Sequence, residues 1–277
     1  MKFGVCIGTN VENMRYAKSL GYDYVEVHCQ EIANKLIEHI EAMKAVCMPI
    51  LAANCFIGMR VIGRERDDAA ITEYFGRLFD RAAYLGIKYL VFGSSQARRI
   101  VDDEPMSVPE ARAQIVDFLK NLVVPFSEKY GIVIAIEPLR PQECNVINTV
   151  ADGVEIARAV DSPYVRVLAD VAHMYTQGES LESLASLGEW LVHAHTSNPA
   201  PDPALGEWLV HAHTSNPAPD PALGKKRIYP TAADEFDQRS FIEPLKRAGV
   251  EQCSIEADVI DFKTDAKNAY EVLKELR

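Results

Sequence analysis

The sequence predicts an α/β fold, a (β/α)8 barrel formed as a single domain over residues 1–277, and three observations carry that reading. Short apolar runs of strand length alternate with helix-like stretches. The runs are near-continuous in their apolar character rather than alternating, as strands of a parallel sheet covered on both faces are. Glycines stand where helices should end and strands begin, at Gly21, Gly86, Gly131 and Gly249, the places where a left-handed cap is wanted.

Taken in order, the strand-like runs are Phe3–Ile7, Tyr24–His28, Pro49–Asn54, Tyr89–Phe92, Ile132–Glu137, Val165–Asp170, a WLVHAH segment and Cys253–Glu256. Helical patterns fall at Glu31–Val46, Asp67–Leu85, Ala111–Tyr130, Val150–Val160, Ser240–Ala248 and Asp265–Leu276. Strict alternation leaves a parallel sheet that is either doubly wound or closed. The turn after the first run reads IGTNVEN and lacks the glycine pattern of a dinucleotide site. Eight units and a length of 277 residues match a closed barrel, which needs roughly 250.

The formal charge of −11 argues against a nucleic-acid partner or an anionic membrane surface, since both require a basic face. A local basic spot exists at Lys225, Lys226 and Arg227. The six cysteines are scattered without a CxxC pair, and most lie in apolar contexts where buried free thiols are expected. MKFGVCIG runs straight into a strand pattern, and no window holds 18 uninterrupted apolar residues. A reduced, cytoplasmic protein is the expectation.

The fold carries an 18-residue tandem duplication around its seventh strand: LGEWLVHAHTSNPAPDPA occupies 187–204 and recurs identically at 205–222. A solenoid would need three or more units, so this is an insertion within one barrel. Only one WLVHAH can fill the seventh position, and loop-closure entropy does not choose between the copies.

Barrel sites are built where strands end, on the C-terminal face. Four consecutive runs end in Glu137, Asp170, His195 (or His213 in the second copy) and Glu256. Neighbouring strands lie about 4.8 Å apart, so these side chains converge. Three carboxylates crowded together need a neutralising charge, and a divalent cation supplies it. Mixed carboxylate and imidazole donors suit Mn²⁺, Co²⁺, Fe²⁺ or Zn²⁺ rather than Ca²⁺; Mg²⁺ is a further candidate for the ion. Taken singly, a strand-end Glu or His is an ordinary cap or salt-bridge partner. The set of four together points to a metal site.

With those residues, IEPLRPQECNVINT at 136–149, ADVAHM at 169–174, LVHAHTSNP and SIEAD at 254–258 resemble the xylose-isomerase-like TIM barrel superfamily of sugar-phosphate isomerases and epimerases. The resemblance follows the strand order over nearly the whole chain and is strongest from 131 to 258. It implies that Glu137, Asp170, the second His of VHAH (His195 or His213) and Glu256 are metal ligands, with Glu137 and Glu256 also the acid–base pair. It further implies that Glu143 and His173 hold substrate hydroxyls and that Glu26, at the end of the second strand, faces the cavity. A structural salt bridge explains Glu26 equally well. The ketose 3-epimerases of the family follow the metal His with Gly-Glu-x-Asn-Arg, whereas this chain has Thr-Ser-Asn-Pro, which leaves Arg227 as the substitute for the missing arginine. Dimers and tetramers are common in the families it resembles.

Such a centre would polarise a substrate carbonyl, so that a carboxylate removes the neighbouring C–H proton and forms a stabilised enediolate. Return of the proton gives epimerisation or isomerisation of a small sugar, keto-sugar or polyol. Expulsion of a β-hydroxyl gives dehydration, as in an inosose or dehydroshikimate dehydratase. A catalytically silent sugar-binding barrel is the non-enzymatic alternative. A three-zinc nuclease on the same barrel would need more histidines than these seven and a basic groove. A Schiff-base aldolase would need a lysine ending an inner strand, and none of the runs ends in one.

Overall fold

The computed structural model describes residues 1–198, 227–234 and 236–277. Eight parallel strands close in sequence order, each hydrogen-bonded to the next and the eighth to the first. They are β1 (Lys2–Cys6), β2 (Tyr24–His28), β3 (Ile50–Asn54), β4 (Tyr89–Phe92), β5 (Val133–Ile136), β6 (Val165–Asp170), β7 (Leu191–Thr196) and β8 (Gln252–Ile255). The barrel expected from the alternation is present, and each strand lies within a residue or so of its apolar run.

Helices join the strands in the order α1 (Val11–Leu20), α2 (Cys29–Asn34), α3 (Ile37–Ala45), α4 (Asp68–Leu85), α5 (Ser95–Arg98), α6 (Val108–Phe118), α7 (Val124–Tyr130), α8 (Val150–Val160), α9 (Val171–Gln177), α10 (Arg239–Arg247) and α11 (Phe262–Leu273). Local chemistry sets their starts. Ser107 with Glu110 and Thr149 with Asp152 form reciprocal capping boxes at α6 and α8, and Asp67 accepts from the amides of Ala69 and Ala70 at α4. Gly21 and Gly86 end α1 and α4 at φ 98° and 84°, as the sequence requires.

Two helices differ from their sequence patterns. The run Glu31–Val46 is broken at Lys35 and Leu36, both extended, because α2 is tied to β2 by its cap His28 while His39 of α3 bonds the Thr9 carbonyl at 2.8 Å. The run Ala111–Tyr130 is divided by a π-turn at Leu119–Val123 just before Pro125, whose missing N–H shifts the hydrogen-bond ladder. All six cysteines are unpaired; Cys29, Cys144 and Cys253 are buried, but Cys47 is exposed, so fewer are core residues than their contexts suggest.

An apolar layer between sheet and helices forms the main core, with Phe56, Phe75, Phe79, Phe92 and Phe118 packed ring against ring. Inside the barrel, Val91, Ala135 and Leu168 fill one level. Higher up the interior turns polar, with Tyr24, Glu26, His193, His195 and Ser254 all buried. Gly4 lacks a side chain where the Tyr24 ring crosses the barrel, which makes room for that level.

The first copy of the duplication forms β7, which places His195 in the barrel. His213 lies outside the described residues. Short turns at Leu181–Ser186 and Gly188–Trp190 lead directly into β7, so the extra chain follows the strand rather than preceding it. Within the helices of the described residues, none is long and apolar enough to cross a membrane.

Candidate metal centre and active site

Register brings the strand ends together. Asp170 pairs with His195 across β6 and β7, and His195 with Ser254 across β7 and β8. The Glu256 amide donates to the Thr196 carbonyl at 3.0 Å, and the Glu137 amide to the Phe92 carbonyl at 3.3 Å. Both glutamates therefore continue their strands by one residue into the mouth of the barrel.

Glu137, Asp170, His195 and Glu256 each present one ligand atom, all within 4.8 Å of one another, and all four are buried. His195 Nδ1 lies 2.8 Å from Glu256 Oε2, 3.2 Å from Glu137 Oε1 and 3.9 Å from Asp170 Oδ2. Asp170 is the cap of α9: its Oδ1 accepts from the Ala172 amide at 2.8 Å and the His173 amide at 3.1 Å. That fixes the carboxylate and turns Oδ2 toward the cluster. The donor set suits a divalent transition metal, with three oxygens and one imidazole nitrogen gathered where three buried acids need positive charge.

Electrostatics report the crowding. Burial and then the Glu256 charge push the Glu137 carboxyl above its ordinary range. Burial acts the same way on Asp170, but Arg227 and His173 outweigh it and hold that carboxyl low. Burial disfavours the His195 imidazolium, yet Glu26 and Glu256 outweigh it and raise the group well above the histidine range. Arg227 pairs with Asp170 and, at 3.0 Å, with Glu256 Oε2, so its guanidinium spans two of the carboxylates.

Glu143 and His173 meet beside this centre. Arg140 Nε donates to Glu143 Oε1 at 3.0 Å, Glu143 Oε2 stands 4.0 Å from His173 Nε2, and all three are nearly buried. Glu26, read from sequence as ending its strand, sits instead in the middle of β2, one level below the mouth, with both carboxylate oxygens against His195 Nε2. Burial opposes its charge, but His195 and His193 outweigh burial and pull it down to about 2.

Sequence reasoning passed over three residues. Asn54 ends β3 and donates to Glu256 Oε1 at 3.1 Å; the polar-strand-end rule that found the acids points to it as well. Arg98, fully buried, donates to the Phe92 carbonyl at 2.9 Å and to the Glu137 carbonyl, stacking over the Phe92 ring. Nothing in the local pattern marks it. Gly93 faces the Glu137 carboxylate.

A closed β/α barrel with a carboxylate–imidazole cluster at its C-terminal mouth defines the class. The chain belongs to the xylose isomerase-like TIM barrel family, whose model matches residues 14–276. It is similar to an inosose isomerase of Bacillus licheniformis, 29% identical over 191 residues, covering 64% of this chain and 65% of that protein. It is also similar to a 3-dehydro-D-guloside 4-epimerase of Escherichia coli, 25% identical over 197 residues, covering 68% of this chain and 74% of that one. The match thus spans just under two thirds of the inosose isomerase. Among solved structures, the IOLI protein with a binding zinc atom superposes with a TM-score of 0.71 at 22% identity, covering 99% of this chain and 96% of that one, a likeness of fold.

Proposed function

We propose that the protein is a divalent-metal-dependent isomerase or epimerase that moves a proton on a small sugar, keto-sugar or polyol, with Glu137 and Glu256 as its acid–base pair. The observation that carries the reading is the convergence of Glu137, Asp170, His195 and Glu256, from four successive strands, to within 4.8 Å. The relatives named for inosose and dehydro-guloside chemistry support the substrate class.

Those four side chains would hold a divalent ion, which when bound would supply Lewis acidity to a substrate carbonyl oxygen. The chain's own residues do the rest. Glu137 and Glu256 reach the cluster from β5 and β8, with β6 and β7 between them, so they flank a bound substrate. One carboxylate takes the proton beside the carbonyl, leaving an enediolate, and the other delivers a proton to the opposite face or the neighbouring carbon. Glu143, His173 and Arg227, beside the cluster, hold substrate hydroxyls. The buried surroundings strengthen each of these contacts.

The test is proton exchange. Ketoses, inososes and keto-glycosides are incubated in D₂O with Mn²⁺ or Co²⁺ and followed by NMR. Deuterium should enter a carbon beside a carbonyl for at least one substrate, and Glu256→Gln should abolish the exchange. Full exchange in that variant contradicts the assignment.

A further inference from the structure

A polar chain runs from His195 of the cluster down through the interior of the barrel, and apart from His195 the proposed acid–base chemistry makes no use of it. Tyr24 and Glu26 point inward from β2, His193 and His195 from β7, and Ser254 from β8, and every one is buried. Ser254 Oγ donates to Tyr24 Oη at 3.0 Å and lies 3.4 Å from His193 Nε2. His193 Nε2 lies 3.0 Å from Glu26 Oε2, and its ring stacks on Tyr89 at 5.9 Å with an interplanar angle of 7°. His195 Nε2 then meets both Glu26 oxygens, at 3.0 and 3.1 Å.

From this geometry we infer that Glu26 is a positioning residue that fixes which nitrogen of His195 is left to bind metal. The inference rests on the metal-centre reading given above. A neutral imidazole carries one N–H and one lone pair. A carboxylate that accepts at Nε2 places the hydrogen there and leaves the Nδ1 lone pair facing Glu137, Asp170 and Glu256. Glu26 cannot turn away, because His193 holds Oε2, and His193 is itself clamped by Tyr89 and Ser254. An ordinary barrel interior would have aliphatic side chains at this level. A carboxylate buried there is costly unless its partners need it. Outer partners of this kind orient a ligating histidine and raise its basicity, and removing one typically weakens metal binding about 10–100-fold.

Two measurements test the role without recourse to turnover. In the first, Co²⁺ is titrated into metal-free wild-type protein and into Glu26→Gln, read by visible absorption, with thermal unfolding of both metal-free proteins alongside. The variant should bind Co²⁺ roughly 10–100-fold more weakly, by more than any change in unfolding temperature of the metal-free protein explains. Equal affinity overturns the positioning role while leaving the metal centre standing. A wild-type protein that binds no Co²⁺ overturns both. The second needs no variant: nitrogen-15 NMR of histidine-labelled, Zn²⁺-loaded wild type should show His195 ligated through Nδ1 with a proton retained on Nε2. Ligation through Nε2 overturns the inference.

Discussion

The Glu137 carboxylate occupies the space that a side chain at residue 93 would fill, so that Gly93, just beyond β4, leaves room for an acid on the next strand. Its φ is not in the left-handed region, and the need for glycine is therefore one of space rather than backbone freedom. Gly93→Ala should displace the end of the Glu137 side chain, which is flexible, and leave the sheet intact. The expected outcome is a loss of exchange activity with an unchanged far-ultraviolet circular dichroism spectrum. Undiminished activity would show that the observed Glu137 position is not the working one.

The two copies of VHAH give a clean comparison. His195 stands in β7 among the acids. His195→Gln should weaken Mn²⁺ binding at least about 100-fold, beyond the loss usual for an outer partner, and His213→Gln should leave it unchanged. Equal losses in the two variants, measured by calorimetry, would contradict the assignment of the first copy to the barrel.

Arg227 touches Asp170 and Glu256 through two nitrogens of one planar fork. A lysine cannot reproduce that geometry. Each charged hydrogen bond is worth about 1.5–3 kcal/mol, and a factor of ten corresponds to about 1.4 kcal/mol. Arg227→Lys should therefore lower kcat/KM about 10–100-fold with metal content retained. Loss of the metal instead would make Arg227 a support of the centre rather than a substrate contact.

Away from the site, Phe75 is fully buried, stacked on Phe56 at 5.1 Å and edge-on to Phe79 at 5.7 Å. Phe75→Ala should cost about 3–5 kcal/mol in urea unfolding. A loss below about 1 kcal/mol would show that this aromatic layer collapses into the gap.

The barrel was legible because most of the parallel strands, covered on both faces, are near-continuous apolar runs, and because Gly21 and Gly86 mark helix ends that only glycine adopts easily. The four cluster residues were legible for a related reason: a charged residue ending such a run has only the barrel mouth to go to. Glu26 was misplaced because the same polar-end rule fails in the middle of a strand, where an interior acid and an exposed one read alike. Arg98 escaped notice because its partners are the backbone carbonyls of Phe92 and Glu137, and such contacts leave no side-chain pattern to find. The break between α2 and α3 is set by the tertiary bond from His39 to Thr9, which no local propensity announces.

The centre itself is tested most directly by counting. Metal-free protein titrated with Mn²⁺ and followed by electron paramagnetic resonance should bind one ion per chain, and Asp170→Asn and Glu256→Gln should each weaken that binding. Absence of stoichiometric binding by the wild-type protein would contradict the claim that these side chains are gathered around a cation.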